Sequence, residues 1–308
     1  MILTVCPSPC IDVDIEVETL GVGMSNKIIG KRTFYTGKAI NVAIGLARLN
    51  AGVFVTGFMY EENCSQFEYE LHKEGIPYKF VWNKGRVREN YKIIDRRTML
   101  TEIDDVSEEV PKEKQEELLK VISQIGAHCE AVIISGGLAK GMSPDFYYKV
   151  LSGVPSGVFK IADTEGERLK QALKCGLKFA KPNLEELERT LKTKITTKEE
   201  LLKACGKIID MGCEIVMVSL GKRGAVISDG ANCLYCKSVN VAMNSTVGAG
   251  DGMVAAASNA IIKGACLEDI LRSGVAGGTA SVTLPDSISF SKEKYEEIFS
   301  SLTVQKIL

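Results

Sequence analysis

Histidine is scarce in this sequence, because the 308 residues include only His72 and His128. Both lie in stretches with the composition of helices, away from every glycine-rich turn. A Ser-His-Asp mechanism requires a histidine beside the nucleophile, so the sequence gives little support to this class of enzyme. Any acid–base chemistry is therefore expected to use a carboxylate.

An excess of charge is also absent, since 38 basic and 39 acidic residues leave a formal net charge of −1. This balance argues against nucleic acid or an acidic membrane as a partner. No run approaches the roughly 20 apolar residues of a membrane span. The first ten residues, MILTVCPSPC, lack the basic segment of a signal peptide. We therefore expect a cytoplasmic protein that binds neither nucleic acid nor membranes.

The ten cysteines do not have the pattern of a disulfide framework. They are scattered through a chain that is 45% hydrophobic, which predicts reduced thiols in a protein with a sizeable core. Cys233 and Cys236 form the one CxxC motif of the sequence, without a second pair or a histidine cluster. In a strand these two side chains point to opposite faces, so a zinc site is not expected.

Two common nucleotide-binding motifs are missing as well. The glycine-rich stretch near residue 248 would need a glycine at 253 to read GxGxxG, and Met253 stands there. The P-loop pattern GxxxxGK[ST] does not occur anywhere in the sequence. A nucleotide site, if present, must therefore be built from other turns.

What the sequence does contain is a regular alternation of apolar, β-rich runs with amphipathic helices. Helices are predicted over 113–126 and 198–211, and the runs typical of strands are ILTVC, VFVTGF, AVIISGG, VFKIAD, LKFAKPN and EIVMVSLG. This order predicts one α/β domain over 1–308, with a mostly parallel central sheet and helices on both faces. Residues 13–36 and 78–105 alternate polar and apolar side chains, which predicts a separate small sheet, a lid or an interface.

The stretch NSTVGAGDGMVAAASNAI, residues 244–261, places Asp251 at the start of an apolar helix. One interpretation is helix capping, because Asp and Gly are common at helix N-termini. The other is catalytic. The amides of Gly248, Ala249 and Gly250 can form an anion site at the positive end of the helix dipole, and Asp251 can take a proton from a hydroxyl beside it.

Several motifs in order along nearly the whole chain resemble those of the PfkB, or ribokinase-like, sugar kinases. STVGAGDGMVAA resembles the C-terminal signature of that family, in which the Asp of GAGD is the catalytic base. TGKAINVAIGLARL resembles its GGKGxNVA signature, and KPNLEEL matches its KPNxxEL motif. LTVCPSPCID resembles the first strand with its sugar-binding Asp, and VSLGKRGA matches the nucleotide-side turn. The resemblance implies a ribokinase-like α/β fold with a small β-sheet lid.

The resemblance also implies a role for each matching residue. The residues implied at the reacting centre are Gly248, Ala249, Gly250 and the base Asp251. Those implied in substrate binding are Asp12, Gly37, Lys38, Asn41, Arg88 and Asn90. Those implied in nucleotide binding are Lys181, Asn183, Ser219, Gly221, Gly224, Ser245 and Val247. Glu186 is implied near a Mg²⁺ ion that arrives with ATP.

The choice of sugar rests on KGRVRENYKII, residues 84–94, which resembles the GxTRxN stretch of the phosphosugar branch of the family. There an arginine grips the phosphate already on the substrate, and Arg88 takes that place, with Lys38 also assigned to this phosphate. The planar guanidinium suits a bidentate phosphate contact, although a surface strand arginine is the alternative. Within the family the chain looks closest to the branch that phosphorylates ketohexose monophosphates to bisphosphates.

The sequence departs from the family pattern at Thr36 and Ala39 in GGKG, at Gly137 in ISGSLPxG, and at Gly252, where close relatives have Ser. These changes leave two alternatives open. One is a kinase for an unphosphorylated sugar or nucleoside, and the other is a sugar-phosphate sensor without turnover.

The resemblance further implies a homodimer in which the lids of two subunits pair. Asp163, at the end of the strand VFKIAD, is interpreted as a structural turn acid.

Overall fold

Alternating strands and helices build most of the molecule, and the computed structural model describes residues 1–97, 99–242, 248–284 and 289–307. The strands are β1 (Ile2–Cys6), β2 (Cys10–Val17), β3 (Ile28–Thr36), β4 (Val53–Tyr60), β5 (Tyr78–Asn83), β6 (Arg88–Asp95), β7 (Leu100–Ile103), β8 (Ala131–Ser135), β9 (Phe159–Asp163), β10 (Leu177–Ala180), β11 (Cys213–Ser219), β12 (Ala225–Ser228), β13 (Cys233–Cys236) and β14 (Val304–Lys306). The helices are α1 (Lys38–Arg48), α2 (Ser65–Lys73), α3 (Lys112–Gly126), α4 (Phe146–Ser152), α5 (Gly166–Leu173), α6 (Leu184–Leu191), α7 (Lys198–Asp210), α8 (Ala249–Ile262), α9 (Leu267–Ser281) and α10 (Lys292–Ser301).

The large sheet has the strand order β14-β13-β12-β11-β10-β9-β8-β1-β4-β5. All neighbours from β11 to β5 pair in parallel, whereas β12, β13 and β14 extend the sheet through antiparallel pairs. Parallel strands aligned in this way bring their carboxyl ends to one edge of the sheet. The predicted mostly parallel sheet is confirmed, and the antiparallel extension is an addition to it.

Helices cover both faces of this sheet, as predicted, because its strands are buried on both sides. Side chains of α1, α8 and α9 pack with one face, and those of α3, α4 and α7 pack with the other. The alternation is visible in β1, where Ile2 and Cys6 belong to the first core and Leu3 and Val5 to the second.

The CxxC motif follows the same rule. Cys233 lies in the core on one face of the sheet, and Cys236 lies in the core on the other face. Within the described residues, no cluster of three or more His, Cys, Asp or Glu side chains has the arrangement of a metal site. In the same part of the chain, every helix is too short or too polar to cross a membrane.

A second, four-stranded sheet has the order β3-β2-β6-β7 and lies apart from the large one in hydrogen bonding. It contains most of 13–36, but the stretch 78–105 divides between the two sheets. Residues Tyr78–Asn83 pair with β4 in the large sheet, and only β6 and β7 join the small one. The apolar run Phe80 to Trp82 explains the difference, since Phe80 and Val81 are buried like the other core strands.

Two of the departures from the family pattern differ in their steric setting. A Cβ at Gly252 would lie 2.2 Å from Ser281 Oγ and 2.8 Å from the Gly277 carbonyl oxygen. Helices α8 and α9 therefore approach so closely that no side chain fits at Gly252. A Cβ at Gly137 would meet nothing within 4 Å, so packing does not require a glycine there.

Candidate active site

A polar cavity of about 650 Å³ opens where the carboxyl edge of the large sheet meets the N-termini of α1, α6 and α8. Twelve of the residues assigned from the sequence line it, namely Asp12, Gly37, Lys38, Asn41, Lys181, Asn183, Glu186, Ser219, Gly221, Gly248, Gly250 and Asp251. Motifs far apart in the chain thus meet around one space.

Asp251 lies in the first turn of α8 at the cavity wall, and the residue is 6% exposed. Gly248 precedes the helix with a φ of 79°, a left-handed conformation that favours glycine. Burial raises the pKa of Asp251 to about 7, while Lys38 and Lys181 and a hydrogen bond from Asn41 oppose the increase. A carboxyl group with this pKa is well placed to accept a proton near neutral pH.

Helix capping does not account for this side chain, because Asp251 is the third residue of α8 and Gly248 occupies the N-cap. Its carboxylate oxygen Oδ2 instead accepts a hydrogen bond of 2.7 Å from Asn41 Nδ2. Asn41 Oδ1 in turn accepts a bond of 2.6 Å from the Thr36 hydroxyl. The three polar groups form a short chain between β3, α1 and α8.

Asp163, interpreted from the sequence as a structural turn acid, contacts two lysines that line this cavity. It is 1% exposed at the end of β9, and its carboxylate lies 3.5 Å from Lys38 Nζ and 3.4 Å from Lys181 Nζ. The Ser135 hydroxyl donates a third contact of 3.0 Å. Burial raises the pKa of Asp163, but the two ammonium groups and the hydroxyl outweigh it and hold the pKa below its usual range.

A signal for Asp163 was present in the sequence, since it ends a buried parallel strand beside the strand that leads to KPN. Lys181 is 3% exposed, and a Cβ on Gly250 would lie 3.4 Å from its Nζ. The buried ammonium group is therefore close to the start of α8. The ion pair between Lys181 and Asp163 therefore lies next to the predicted anion site.

The small sheet contributes one polar face, because register places side chains of β2 and β6 side by side. Asp12 pairs with Asn90 and accepts a hydrogen bond of 3.1 Å from Asn90 Nδ2. Lys92 Nζ donates to the other oxygen of Asp12 at 2.8 Å. Lys92 was not assigned a role from the sequence, although it follows Arg88 and Asn90 with the period of two that sets one face of a strand.

Arg88 lies on the same face, in register with Cys10. Its Nη1 donates to Asn90 Oδ1 at 2.8 Å, whereas its Nε is buried and has no hydrogen-bond partner among the described residues. A buried guanidinium donor without an acceptor is costly unless a ligand supplies one. Arg88 and Asn90 do not line the polar cavity, but hydrogen bonds from Arg88 to Asn90 and from Asn90 to Asp12 connect them to it.

The NxxE element forms a capping box at the start of α6. Asn183 Oδ1 accepts from the Glu186 amide, and Glu186 Oε2 accepts from the Asn183 amide, both at 2.8 Å. The second oxygen of Glu186 lies 3.6 Å from Lys38 Nζ. The ammonium group of Lys38 thus contacts both Asp163 and Glu186.

The nucleotide-side turn borders a second, more apolar cavity of about 480 Å³. Its walls include Ser219, Gly221, Gly224 and Ala249, together with Val239, Val241, Met253, Val275 and Val282. Gly224 has a φ of 92°, and a Cβ there would lie 2.0 Å from the Cys236 carbonyl oxygen, so the turn requires glycine. Ser245 and Val247 lie outside the described residues.

Comparisons with known proteins agree with these motifs. A family model described as pfkB family carbohydrate kinase matches residues 5–294. A 1-phosphofructokinase of Borreliella burgdorferi is 29% identical over 295 residues, which cover 96% of this chain and 95% of the relative. A tagatose-6-phosphate kinase of Staphylococcus epidermidis is 25% identical over 311 residues and 100% of both chains. A crystal structure of Escherichia coli phosphofructokinase-2 with substrates and products matches at a TM-score of 0.90 and 25% identity, over 97% of this chain and 98% of that one.

Proposed function

Because the chain belongs to the pfkB family of carbohydrate kinases, and is therefore a phosphotransferase with an alcohol group as acceptor, we propose that its acceptor is a ketohexose monophosphate. The product is a bisphosphate, and ATP is the phosphoryl donor. One observation carries the proposal. The buried Asp251 lines a polar cavity at the N-terminus of α8, which offers a base for a hydroxyl and amide donors for a phosphoryl group.

The proposed reaction uses Asp251 as the general base. The acceptor hydroxyl loses its proton to the Asp251 carboxylate, and its oxygen forms a bond to the γ-phosphorus of ATP. The bond from the γ-phosphorus to the bridging oxygen breaks, and ADP leaves. The amides of Gly248, Ala249 and Gly250 lie where a helix N-terminus leaves donors free, so they stabilise the negative charge of the group in transfer.

Recognition of the acceptor is assigned to the polar face of the small sheet and to α1. Asp12 and Asn41 line the cavity and orient the sugar hydroxyls. The unpartnered Nε of Arg88 gives the reason to place the substrate phosphate beside β6, with Asn90 holding the guanidinium. Lys38, which contacts Asp163 and Glu186, is assigned with Arg88 to the substrate phosphate.

The nucleotide is assigned to the turn of Ser219, Gly221 and Gly224 and to the apolar cavity beside it. The donor set fits Mg²⁺ held mainly by phosphates, since Glu186 keeps one oxygen outside its capping bond and Asn183 lines the same cavity. When bound, the ion would neutralise charge on the phosphates of ATP. Lys181, paired with Asp163 beneath Gly250, adds fixed positive charge on the protein side.

The test of the function is ADP release with Mg-ATP against fructose 1-phosphate, fructose 6-phosphate, tagatose 6-phosphate and the free sugars. Turnover on a phosphorylated ketose is the expected result. Turnover on free sugars alone would favour the unphosphorylated acceptor and contradict the role of Arg88. Sugar-phosphate binding without ADP release in a single-turnover experiment would identify a sensor.

Arg88 is expected to contribute to the binding of the sugar phosphate but not to that of ATP. Charge-assisted hydrogen bonds of this kind correspond to roughly 10- to 100-fold in binding, so Arg88→Met should raise the KM for the sugar phosphate by about that factor. The KM for ATP should stay within about twofold, because the residue touches only the acceptor side. Steady-state kinetics with each substrate varied separately measures both.

Arg86→Met is the matched control, since Arg86 is an exposed arginine two positions away that pairs with Glu89 at 2.9 Å. It should leave both KM values near those of the unmodified enzyme. Equal effects of the two substitutions would contradict the assignment, because general electrostatic attraction would then account for the result.

We also propose that the small sheet pairs with that of a second subunit. Exposed large hydrophobic side chains concentrate on this sheet and its flanks, namely Val22, Met24, Ile28, Ile29, Met99, Leu100, Ile103 and Val106. Such a concentration is typical of an interaction surface. A homodimer by light scattering is expected, and a monomer that remains active at all concentrations would contradict it.

A further inference from the structure

Thr36 stands at a position where the motif it resembles has glycine, and its hydroxyl is the outer end of the polar chain to Asp251. Thr36, Asn41 and Asp251 are 5%, 4% and 6% exposed, so water does not compete freely for these groups. The two hydrogen bonds are short, at 2.6 Å and 2.7 Å. Neither motif matching nor helix packing assigns this hydroxyl a role.

The chemistry of the three groups fixes the direction of the chain. Asn41 Oδ1 can only accept, so the Thr36 hydroxyl must donate to it. The Asn41 amide nitrogen can only donate, so the bonded oxygen of Asp251 must accept. The Thr36 hydroxyl, which can donate or accept, gives the Asn41 amide its second partner and fixes the position of that side chain beside the Asp251 carboxylate.

The orientation of the amide matters because its two ends favour different forms of the carboxyl group. The NH₂ end stabilises the ionised carboxylate, whereas the carbonyl end would accept a proton from the neutral acid. Without the Thr36 hydroxyl, the Asn41 amide loses one of its two anchors, and its side chain can turn away from the carboxylate. We propose that Thr36 is a positioning residue for phosphoryl transfer, because its hydroxyl holds the Asn41 amide in place to donate to the Asp251 carboxylate.

This inference rests on the proposed role of Asp251 as base, and the other groups around Asp251 set its background. Lys38 of α1 and Lys181 after β10 favour the ionised form, and Asp163 of β9 disfavours it. The Cys6 thiol of β1 also lies near, but burial raises its pKa to about 12, so it stays neutral. None of these groups replaces the directional bond from Asn41.

The test is the pH profile of kcat/KM for the full-length protein with Mg-ATP and its best sugar phosphate. Thr36→Val removes the hydroxyl at nearly constant volume and should move the acid limb upward by about one pH unit, with roughly tenfold lower kcat/KM below the limb. Above the limb the variant should approach the unmodified enzyme. Thr36→Ser restores the donor and should return the limb to its original position.

Two further measurements separate positioning from a structural role. On an Asn41→Ala background, Thr36→Val should have no additional effect on the limb, because Thr36 acts through Asn41. Thr36→Ala carries the same expectation as Thr36→Val and serves if the valine variant does not fold. A rate loss that is equal at every pH, or a serine variant that fails to restore the limb, would overturn the inference. Turnover retained in Asp251→Asn would instead overturn the base assignment beneath it.

Discussion

Replacing Asp251 with asparagine is expected to lower kcat by about 10²–10⁴-fold, the usual contribution of a general base. The substitution is nearly isosteric, and its side-chain oxygen can still accept the bond that Asn41 Nδ2 now donates at 2.7 Å. The Kd for the sugar phosphate should therefore change by less than about threefold. Single-turnover kinetics together with equilibrium binding of the sugar phosphate measures the two quantities separately.

The same substitution should have an effect on stability that depends on pH. Burial raises the pKa of Asp251 from 3.8 to about 7, so the folded state binds a proton between these values that the unfolded state has released. The stability associated with this group is fully present below pH 3.8 and is lost as the pH rises through about 7. An asparagine resembles the neutral acid and avoids that loss.

The Asp251→Asn protein should consequently be the more stable one at pH 8, by up to about 4 kcal/mol, with the difference vanishing near pH 4. Urea unfolding at both pH values measures it. In the unmodified enzyme, kcat/KM should fall as the pH drops below about 7, because the base becomes protonated. A variant with near-normal turnover, or a stability difference that ignores pH, would contradict the assignment.

The sequence located the elements that have a strong local signal. Strand β1 is predicted as ILTVC and observed as Ile2–Cys6, and the helix predicted over 113–126 is observed as Lys112–Gly126. These segments are uniformly apolar or clearly amphipathic, so composition alone distinguishes them. The position of chemistry at the carboxyl edge of a parallel sheet also follows from topology, which is why most of the assigned residues line one cavity.

The remaining features depend on contacts between distant parts of the chain. Asp163 ends β9 and Lys181 follows the neighbouring strand β10, and neither local sequence indicates that their charges pair. The hydroxyl of Thr36 reaches Asp251 only through Asn41 of another element. The separation of β5 from β6 is likewise set by pairing partners rather than by the polar alternation of the strands themselves.

Of the substitutions at this site, removal of the Asp163 carboxylate is expected to lower the free energy of unfolding the most. Asp163→Asn leaves the ammonium of Lys181, 3% exposed, without its opposite charge. Breaking a buried ion pair from one side costs about 3–5 kcal/mol. Because its pKa is lowered, the stability from Asp163 is present above pH 3.8 and is lost as the pH falls through the folded-state value, so unfolding by urea at pH 7 measures the full effect.

Two comparisons identify the cause of this loss. Asp145→Asn removes an acid that pairs with Lys149 at 2.8 Å on the surface, and it should cost less than about 1 kcal/mol. Adding Lys181→Met to Asp163→Asn should recover part of the stability, because no unpaired ammonium then remains buried at that position. Asp163 also raises the pKa of Asp251, so its removal should move the acid limb of kcat/KM downward, opposite to the effect of Thr36→Val. An upward shift of the limb would instead mean that Asp163 acts on Asp251 by holding Lys38 and Lys181 in place. Displaced lysines would no longer favour the ionised form of Asp251, and its pKa would rise.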